Sequence, residues 1–298
     1  MDKWDGFEEA VAIADTRSFA AAARRLGVST SHVSRAVARL EDRVRAPLFT
    51  RTTRVVTLTD IGRIVVEQSR RMLQERDEVL ALVGTGAEPR GEVRITCSTS
   101  MGERFVAPIV RQFAESYRDI QVRFELTNRV IDLVAEGFDL GIRTGTVMDN
   151  RLMRVEIASR QLRLCAAPSY LAATGRPRSV SDLASRECLV ANSPVWSFRV
   201  DGEARTVHPQ GRWHCNSGSA VLDACLAGMG LCQLPDFYVA PMLADGSLVE
   251  LLEDNRPADE PIWAVYPQRR HLLPKVSLLV DRLRAELPRA LVRGRADL

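Results

Sequence analysis

The sequence predicts two folded parts: a small, mainly α, winged helix-turn-helix module, then a larger α/β part built of two subdomains. Three observations predict this. A length of 298 residues favours more than one domain. Between Arg17 and Arg54, apolar stripes at helical spacing back a strongly basic front. From about residue 91 onward strand and helix patterns alternate, and after Pro168 the alternation starts again.

In the first module Trp4, Phe7, Val11 and Ala14 share one helical face. Ser18 is a natural N-cap for FAAAARRL, and Gly27 is a natural stop. Ser29 caps a third helix whose Val33, Val37, Leu40 and Val44 form the buried stripe, with His32, Arg35, Arg39 and Arg43 on the other side. Two helices joined by a short Gly-containing turn, the second basic on its exposed face, are the pattern of a helix-turn-helix. Pro47 closes that region, and RTTRVVTLTD then reads as a β-hairpin, the wing.

From Asp60 about twenty residues run without a helix breaker. Val65/Val66, Met72/Leu73 and Val79/Leu80 recur every seven residues, a seam suited to a second copy or to the helix's own domain. GTGAEPRGE then reads as a hinge. In the larger part VRITC, QVRFELT and FDLGIRTG read as strands, with helices over STSMGERFVAPIVRQFAESY and RVIDLVAEG, giving a mainly parallel sheet. WHCNS, LCQLP and PIWAVYP are further strands. SAVLDACLAGMG, DFYVAPML and LLPKVSLLVDRLRAEL are helices, the last returning to the first subdomain.

Composition narrows the function. Apolar and aromatic residues make up 46% and charged residues 27%, ordinary values for a folded protein. No window is apolar enough to span a bilayer, so no membrane partner is expected, and the acidic N-terminus lacks the pattern of a secretory signal, so the cytosol is the expected location. Net charge is only +3, yet the nine arginines from Arg17 to Arg54 oppose only Glu41 and Asp42, which points to an anionic polymer. Six cysteines (Cys97, Cys165, Cys188, Cys215, Cys225, Cys232) and four histidines (His32, His208, His214, His271) are scattered without metal-ligand spacing or a nucleophile–base pattern. No metal, no cofactor and no catalytic residues are expected, and the chain does not read as an enzyme.

The run from Ser18 to Gly62, SFAAAARRLGVSTSHVSRAVARLEDRVRAPLFTRTTRVVTLTDIG, resembles the N-terminal module of LysR-type transcriptional regulators almost position for position. It departs at Val44-Arg45-Ala46, where the family usually has a Leu-Gly pair, which bears on the turn geometry. EGFDLGIRTG, CAAPSYLAATG, CNSGSAVLDACLAGMGLCQLPDF and AVYPQRRHLLPKVSLLVDRL resemble landmarks of the family's effector domain, which has the type 2 periplasmic-binding-protein fold. The resemblance implies a DNA-binding domain at 1–59, a dimerisation helix and hinge at 60–90, and an effector domain at 91–298. In that domain subdomain I would span about 91–161 and 266–298, and subdomain II about 162–265.

It implies a regulator at the nucleoid, working as a dimer of dimers on a double-stranded promoter or operator with an inverted repeat, with RNA polymerase as a further partner. Base readout is expected from Thr30, Ser31, His32, Ser34, Arg35 and Arg39, and wing contacts from Arg51, Thr52, Thr53 and Arg54. Ligands of open α/β sheets sit at the carboxyl ends of strands. That rule selects Ser98, Thr99 and Ser100, with Met101 beside them; Arg143, Thr144 and the loop to residue 147; Asn216 and Ser217; and Pro235 and Phe237. The expected ligand is a small polar or anionic molecule such as a carboxylate, and Arg143 could face it or an internal carboxylate. Two alternatives are a redox sensor using Cys188/Cys215 or Cys225/Cys232, and a solute-binding or catalytic α/β protein with an unrelated adaptor.

Overall fold

The computed structural model describes residues 5–51, 56–83, 88–145, 149–268, 270 and 273–296. It forms two compact units, Met1–Ala87 and Glu88–Leu298.

In the first unit α1 (Phe7–Thr16), α2 (Phe19–Leu26) and α3 (Thr30–Val44) precede an antiparallel hairpin of β1 (Phe49–Arg51) and β2 (Val56–Leu58), and α4 (Asp60–Val83) follows. The caps form as the sequence predicts. Ser18 Oγ accepts the Ala21 N–H at 3.3 Å and Ser29 Oγ the His32 N–H at 3.1 Å. Gly27 ends α2 at φ +68°, a conformation that costs glycine nothing. Ala10, Ile13, Ala22, Val33, Val37, Leu40 and Leu48 are fully buried together, with Val66 of α4 at the edge. The predicted stripe ends one turn early. Val44 sits beside Arg45, which takes φ +54° as the helix stops, and stays 36% exposed.

Glu41 Oε1 accepts the N–H groups of Leu48 (2.6 Å) and Phe49 (3.3 Å), fixing the exit from α3 into the wing. Thr59 Oγ1 accepts the Gly62 N–H at 2.8 Å at the start of α4. At Gly62 a side chain would overlap the Leu48 carbonyl, so this close approach of α4 to the wing requires glycine.

The described seam residues of α4 turn mainly into their own unit, with Val65 packed against its core. Val66 and Leu73 are 3% and 8% exposed, turned into their own unit, and Arg76–Glu8 (3.5 Å) and Arg70–Asp15 ion pairs tie that face to α1. Ile61 and Ile64 are 47% and 64% exposed on the outward side, and Met72 is half-buried. The side chains of Val79 and Leu80, and the hinge residues 84–87, lie outside the described residues.

The second unit begins with β3 (Gly91–Cys97), α5 (Thr99–Met101), a π-helical turn (Gly102–Val106) and α6 (Ala107–Ser116). Then come β4 (Ile120–Leu126), β5 (Leu140–Thr144), β6 (Leu152–Arg160), β7 (Leu162–Ala166), α7 (Pro168–Thr174) and β8 (Cys188–Val190). The hairpin of β9 (Trp196–Val200) and β10 (Glu203–Val207) precedes β11 (Trp213–His214), α8 (Gly218–Leu226), β12 (Leu231–Pro235) and α9 (Asp236–Ala244). β13 (Val249–Leu251), β14 (Glu260–Pro267) and α10 (Pro274–Ala296) complete it.

Two five-stranded sheets result, β4-β3-β5-β14-β6 and β11-β8-β12-β7-β13. Both are mixed rather than mainly parallel. β14 runs antiparallel to β5 and β6, and β7 runs antiparallel to β12 and β13. The reason is that the chain crosses between sheets twice. Only Gln161 separates β6 in the first sheet from β7 in the second, and the return lies between β13 and β14. Because all of β14 hydrogen-bonds in the first sheet, the second subdomain ends before Glu260 rather than near residue 265. α10 closes the first core, where Val276, Leu279, Leu283 and Leu287 are fully buried with Phe113 and Ile109.

The helix expected over RVIDLVAEG does not form. Asp132 Oδ1 instead accepts the Val134 and Ala135 N–H groups at 3.0 Å each, a local turn that competes with helix, and Val130 is 93% exposed. Among the described residues no helix is long and apolar enough to cross a membrane.

Candidate functional site

In the first unit α3 carries an exposed polar face. Thr30, Ser31, His32 and Arg35 are exposed there, while Ser34 and Arg39 are half-buried. Arg35 Nε donates to Ser31 O at 3.2 Å, which leaves its two terminal amino groups without a partner among the described residues. Arg39 is engaged: its Nε lies 2.7 Å and its Nη2 2.5 Å from Asp5 Oδ2. His32 Nε2 is 3.2 Å from Glu9 Oε1. Asp5, Glu9 and His32 therefore converge, but Asp5 is held by Arg39, and the Gly6 N–H donates to Glu9 Oε2 at 3.0 Å. The cluster orients α3 against α1. Of the wing residues, Arg51 ends β1, its side chain outside the described residues, as are Thr52, Thr53 and Arg54.

The second unit holds a cavity of about 580 Å³ between its two subdomains. Seven of the ten expected residues line it: Ser98, Met101, Arg143 and Thr144 from the first subdomain, and Asn216, Pro235 and Phe237 from the second. Thr99, Ser100 and Ser217 do not. The Ser217 hydroxyl turns back to accept the Ala220 N–H at 3.4 Å as the cap of α8, and the Thr99 N–H donates to Asn128 Oδ1 at 3.0 Å. Loop residues 146 and 147 lie outside the described residues.

Much of the remaining wall was not anticipated, and three of its polar side chains bridge neighbouring elements. Asn128 follows β4 as Ser98 follows β3, so the same strand-end rule could have found it. Its Nδ2 also donates to Asn216 O at 2.7 Å, one side chain spanning both subdomains. Arg160 enters from the end of β6, its Nε 2.6 Å from Glu260 Oε2 and its Nη2 3.1 Å from Thr144 Oγ1. Gln233, on β12, is held by both backbone polar groups of Ser197. No sequence pattern announces the last two, because the crossovers bring them to the wall.

Phe237 has a double position. It lines the cavity and is also 2% exposed in the core of the first subdomain, edge-on to Phe105 at 5.2 Å, while Arg104 Nη1 donates to its carbonyl at 2.7 Å. Arg143 Nη1 donates to Ile142 O (3.1 Å) and Thr96 O (3.4 Å). Its Nη2 is buried and has no partner among the described residues, and no carboxylate there pairs with it. Burial pulls the Arg143 pKa down from the usual guanidinium range.

No disulfide joins the six cysteines, and all but the half-buried Cys215 are buried. Burial pushes Cys97 up to about 12 and Cys188 up to about 11. A hydrogen bond with Cys225, reinforced by burial, raises Cys232, and burial raises Cys165. Cys97, Cys165, Cys188 and Cys232 are shielded thiols held away from the reactive thiolate form.

Comparison with known proteins agrees with both halves of this geometry. Residues 5–63 match the model "Bacterial regulatory helix-turn-helix protein, lysR family", and residues 86–288 match "LysR substrate binding domain". The chain is 34% identical over 279 residues to the HTH-type transcriptional regulator DmlR of Escherichia coli, covering 91% of this chain and 90% of that protein. It is 34% identical over 284 residues to PtxR of Pseudomonas aeruginosa, covering 94% and 91%. Among solved structures, CrgA, a LysR-type transcriptional regulator from Neisseria meningitidis, superposes with a TM-score of 0.57 at 28% identity, over 95% of this chain and 98% of that one. Full-length AphB of Vibrio cholerae shares the fold at 24% identity, with a TM-score of 0.60 over 96% and 100%. With a helix-turn-helix module at its start, a two-subdomain α/β cavity after it and matches along nearly its whole length, the chain belongs to the LysR family of transcriptional regulators.

Proposed function

We propose that this regulator reads an inverted-repeat operator with α3 and is switched by a small molecule held between the subdomains of its second unit. The observation that carries the DNA half is Arg35, exposed on a basic helix face with both terminal amino groups free to donate among the described residues. A guanidinium so placed can make the bidentate contact to guanine that specifies a base. Thr30, Ser31, His32 and Ser34 surround it. Arg39 stands behind, where its pairing with Asp5 suits it to aligning the helix. Arg51, Thr52, Thr53 and Arg54 of the wing contribute phosphate contacts, which position without specifying.

Ser98, Thr99, Ser100, Met101, Arg143, Thr144, Asn216, Ser217, Pro235 and Phe237 form the effector-binding neighbourhood. Thr99, Ser100 and Ser217 stand behind its wall, and Asn128 and Arg160 complete it. The outward face of α4 pairs two DNA-binding units, and two such dimers make the working tetramer. It acts on cytoplasmic DNA, in contact with RNA polymerase, and catalyses no reaction. Two-fold symmetry places the half-sites about one helical turn apart. Footprinting across the promoter regions beside its own gene tests the reading. Protection of paired half-sites at that spacing is expected, and uniform, sequence-indifferent protection contradicts it.

A further inference from the structure

We infer that the effector is an organic acid carrying a single negative charge, anchored by Arg143. The inference rests on the cavity being the effector site, and it comes from the charges in the cavity wall. Four charged side chains line it: Arg129, Arg143, Arg160 and Glu260. Arg160 is neutralised by Glu260 at 2.6 Å, and Arg129 by Glu136 at 3.0 Å. Arg143 is the exception. Its Nη1 has only backbone carbonyls, its Nη2 is buried with no partner among the described residues, and no described carboxylate pairs with it. Cys97 lies beside Arg143 but stays a neutral thiol, since burial pushes it up to about 12.

A guanidinium with a buried, unpartnered amino group and no counter-charge is costly, because two backbone carbonyls replace only part of its lost hydration. A cavity that keeps one is built for a ligand that supplies the missing charge. One unneutralised cation sets the count at one anionic group. Around it the wall offers the Ser98 hydroxyl and the side-chain amides of Asn128 and Asn192, suited to the hydroxyl or carbonyl groups of the rest of such a ligand.

The test compares the full-length protein with Arg143→Gln and Arg143→Lys by thermal denaturation, against lactate, glycerate and succinate and their neutral amides. Wild type is expected to bind at least one monocarboxylate tenfold or more tightly than its amide. In Arg143→Gln that preference falls to within about threefold, and in Arg143→Lys it is partly kept. Without any additive, Arg143→Gln is expected to melt at or above the wild-type temperature, because an uncompensated charge has been removed. Three outcomes overturn the assignment: no acid preferred over its amide, a preference that survives Arg143→Gln, or succinate preferred over both monocarboxylates. Operator binding measured in parallel separates the failures. A protein that keeps the anion site but binds operator identically with and without the acid contradicts the regulatory reading alone.

Discussion

The two faces of α4 make opposite demands on substitution. Leu73 is 8% exposed within its own unit, so Leu73→Ala removes buried methyl groups and leaves a void. Leu→Ala changes at fully buried sites cost about 2–5 kcal/mol, and the residual exposure places this one in the lower half, about 2–3 kcal/mol. Ile64 is 64% exposed, and a substitution there changes the stability of the isolated fold by no more than about 0.5 kcal/mol. The pair therefore separates folding from association. Urea denaturation followed by circular dichroism reads the first, and sedimentation velocity at micromolar concentration reads the second. Leu73→Ala should move the unfolding transition of the first unit to lower urea while the native protein sediments as wild type. Ile64→Glu combined with Met72→Glu should leave that transition nearly in place, yield smaller species and weaken operator binding. If the double glutamate variant unfolds as readily as Leu73→Ala, or Leu73→Ala releases folded monomers, the division of faces is wrong.

Three further outcomes follow from particular residues. Arg45 holds a left-handed conformation at φ +54°, so Arg45→Gly should stabilise the first unit by about 0.5–1 kcal/mol after the entropy that glycine costs, read as a higher urea midpoint; a lower midpoint counts against it. Asn128→Ala removes the side chain that spans the subdomains, roughly 1 kcal/mol for one net hydrogen bond, or about a fivefold change in the balance of their arrangements. Small-angle scattering should then show a more open molecule, and superimposable profiles would deny the bridge its role. A thiol reagent at pH 8 should react rapidly with Cys215 alone of the six cysteines, and with all six after unfolding; fast reaction of two or more native thiols would revive a redox mechanism.

The legibility of the chain follows from how local each determinant is. The first unit could be read because its punctuation is contiguous: Ser29 caps α3 three residues before His32, Gly27 stops α2, and the Val33–Val37–Leu40 stripe needs only helical spacing. Val44 failed because burial at a helix end depends on what lies opposite. In the second unit individual strands were legible but their directions were not, since Gln161 alone carries the chain from one sheet to the other and a single residue leaves no compositional trace. The strand-end rule led to the cavity and to seven residues of its wall, but not to the rest. Arg160 and Gln233 escaped because sheets assembled from distant segments put them there. The expected helix at 129–137 lost to Asp132, whose carboxylate captures the backbone N–H groups a helix would have needed.

The central claim is that α3 reads base sequence through Arg35. Fluorescence anisotropy titrations of wild type and Arg35→Ala, on the footprinted operator and on a scrambled duplex at one salt concentration, test it directly. Arg35→Ala should lose about 1–3 kcal/mol on the operator, roughly 5- to 150-fold in affinity, with a much smaller loss on the scrambled duplex, so that discrimination collapses. Equal losses on both duplexes would make Arg35 a phosphate contact, and unchanged binding would remove α3 from the readout altogether.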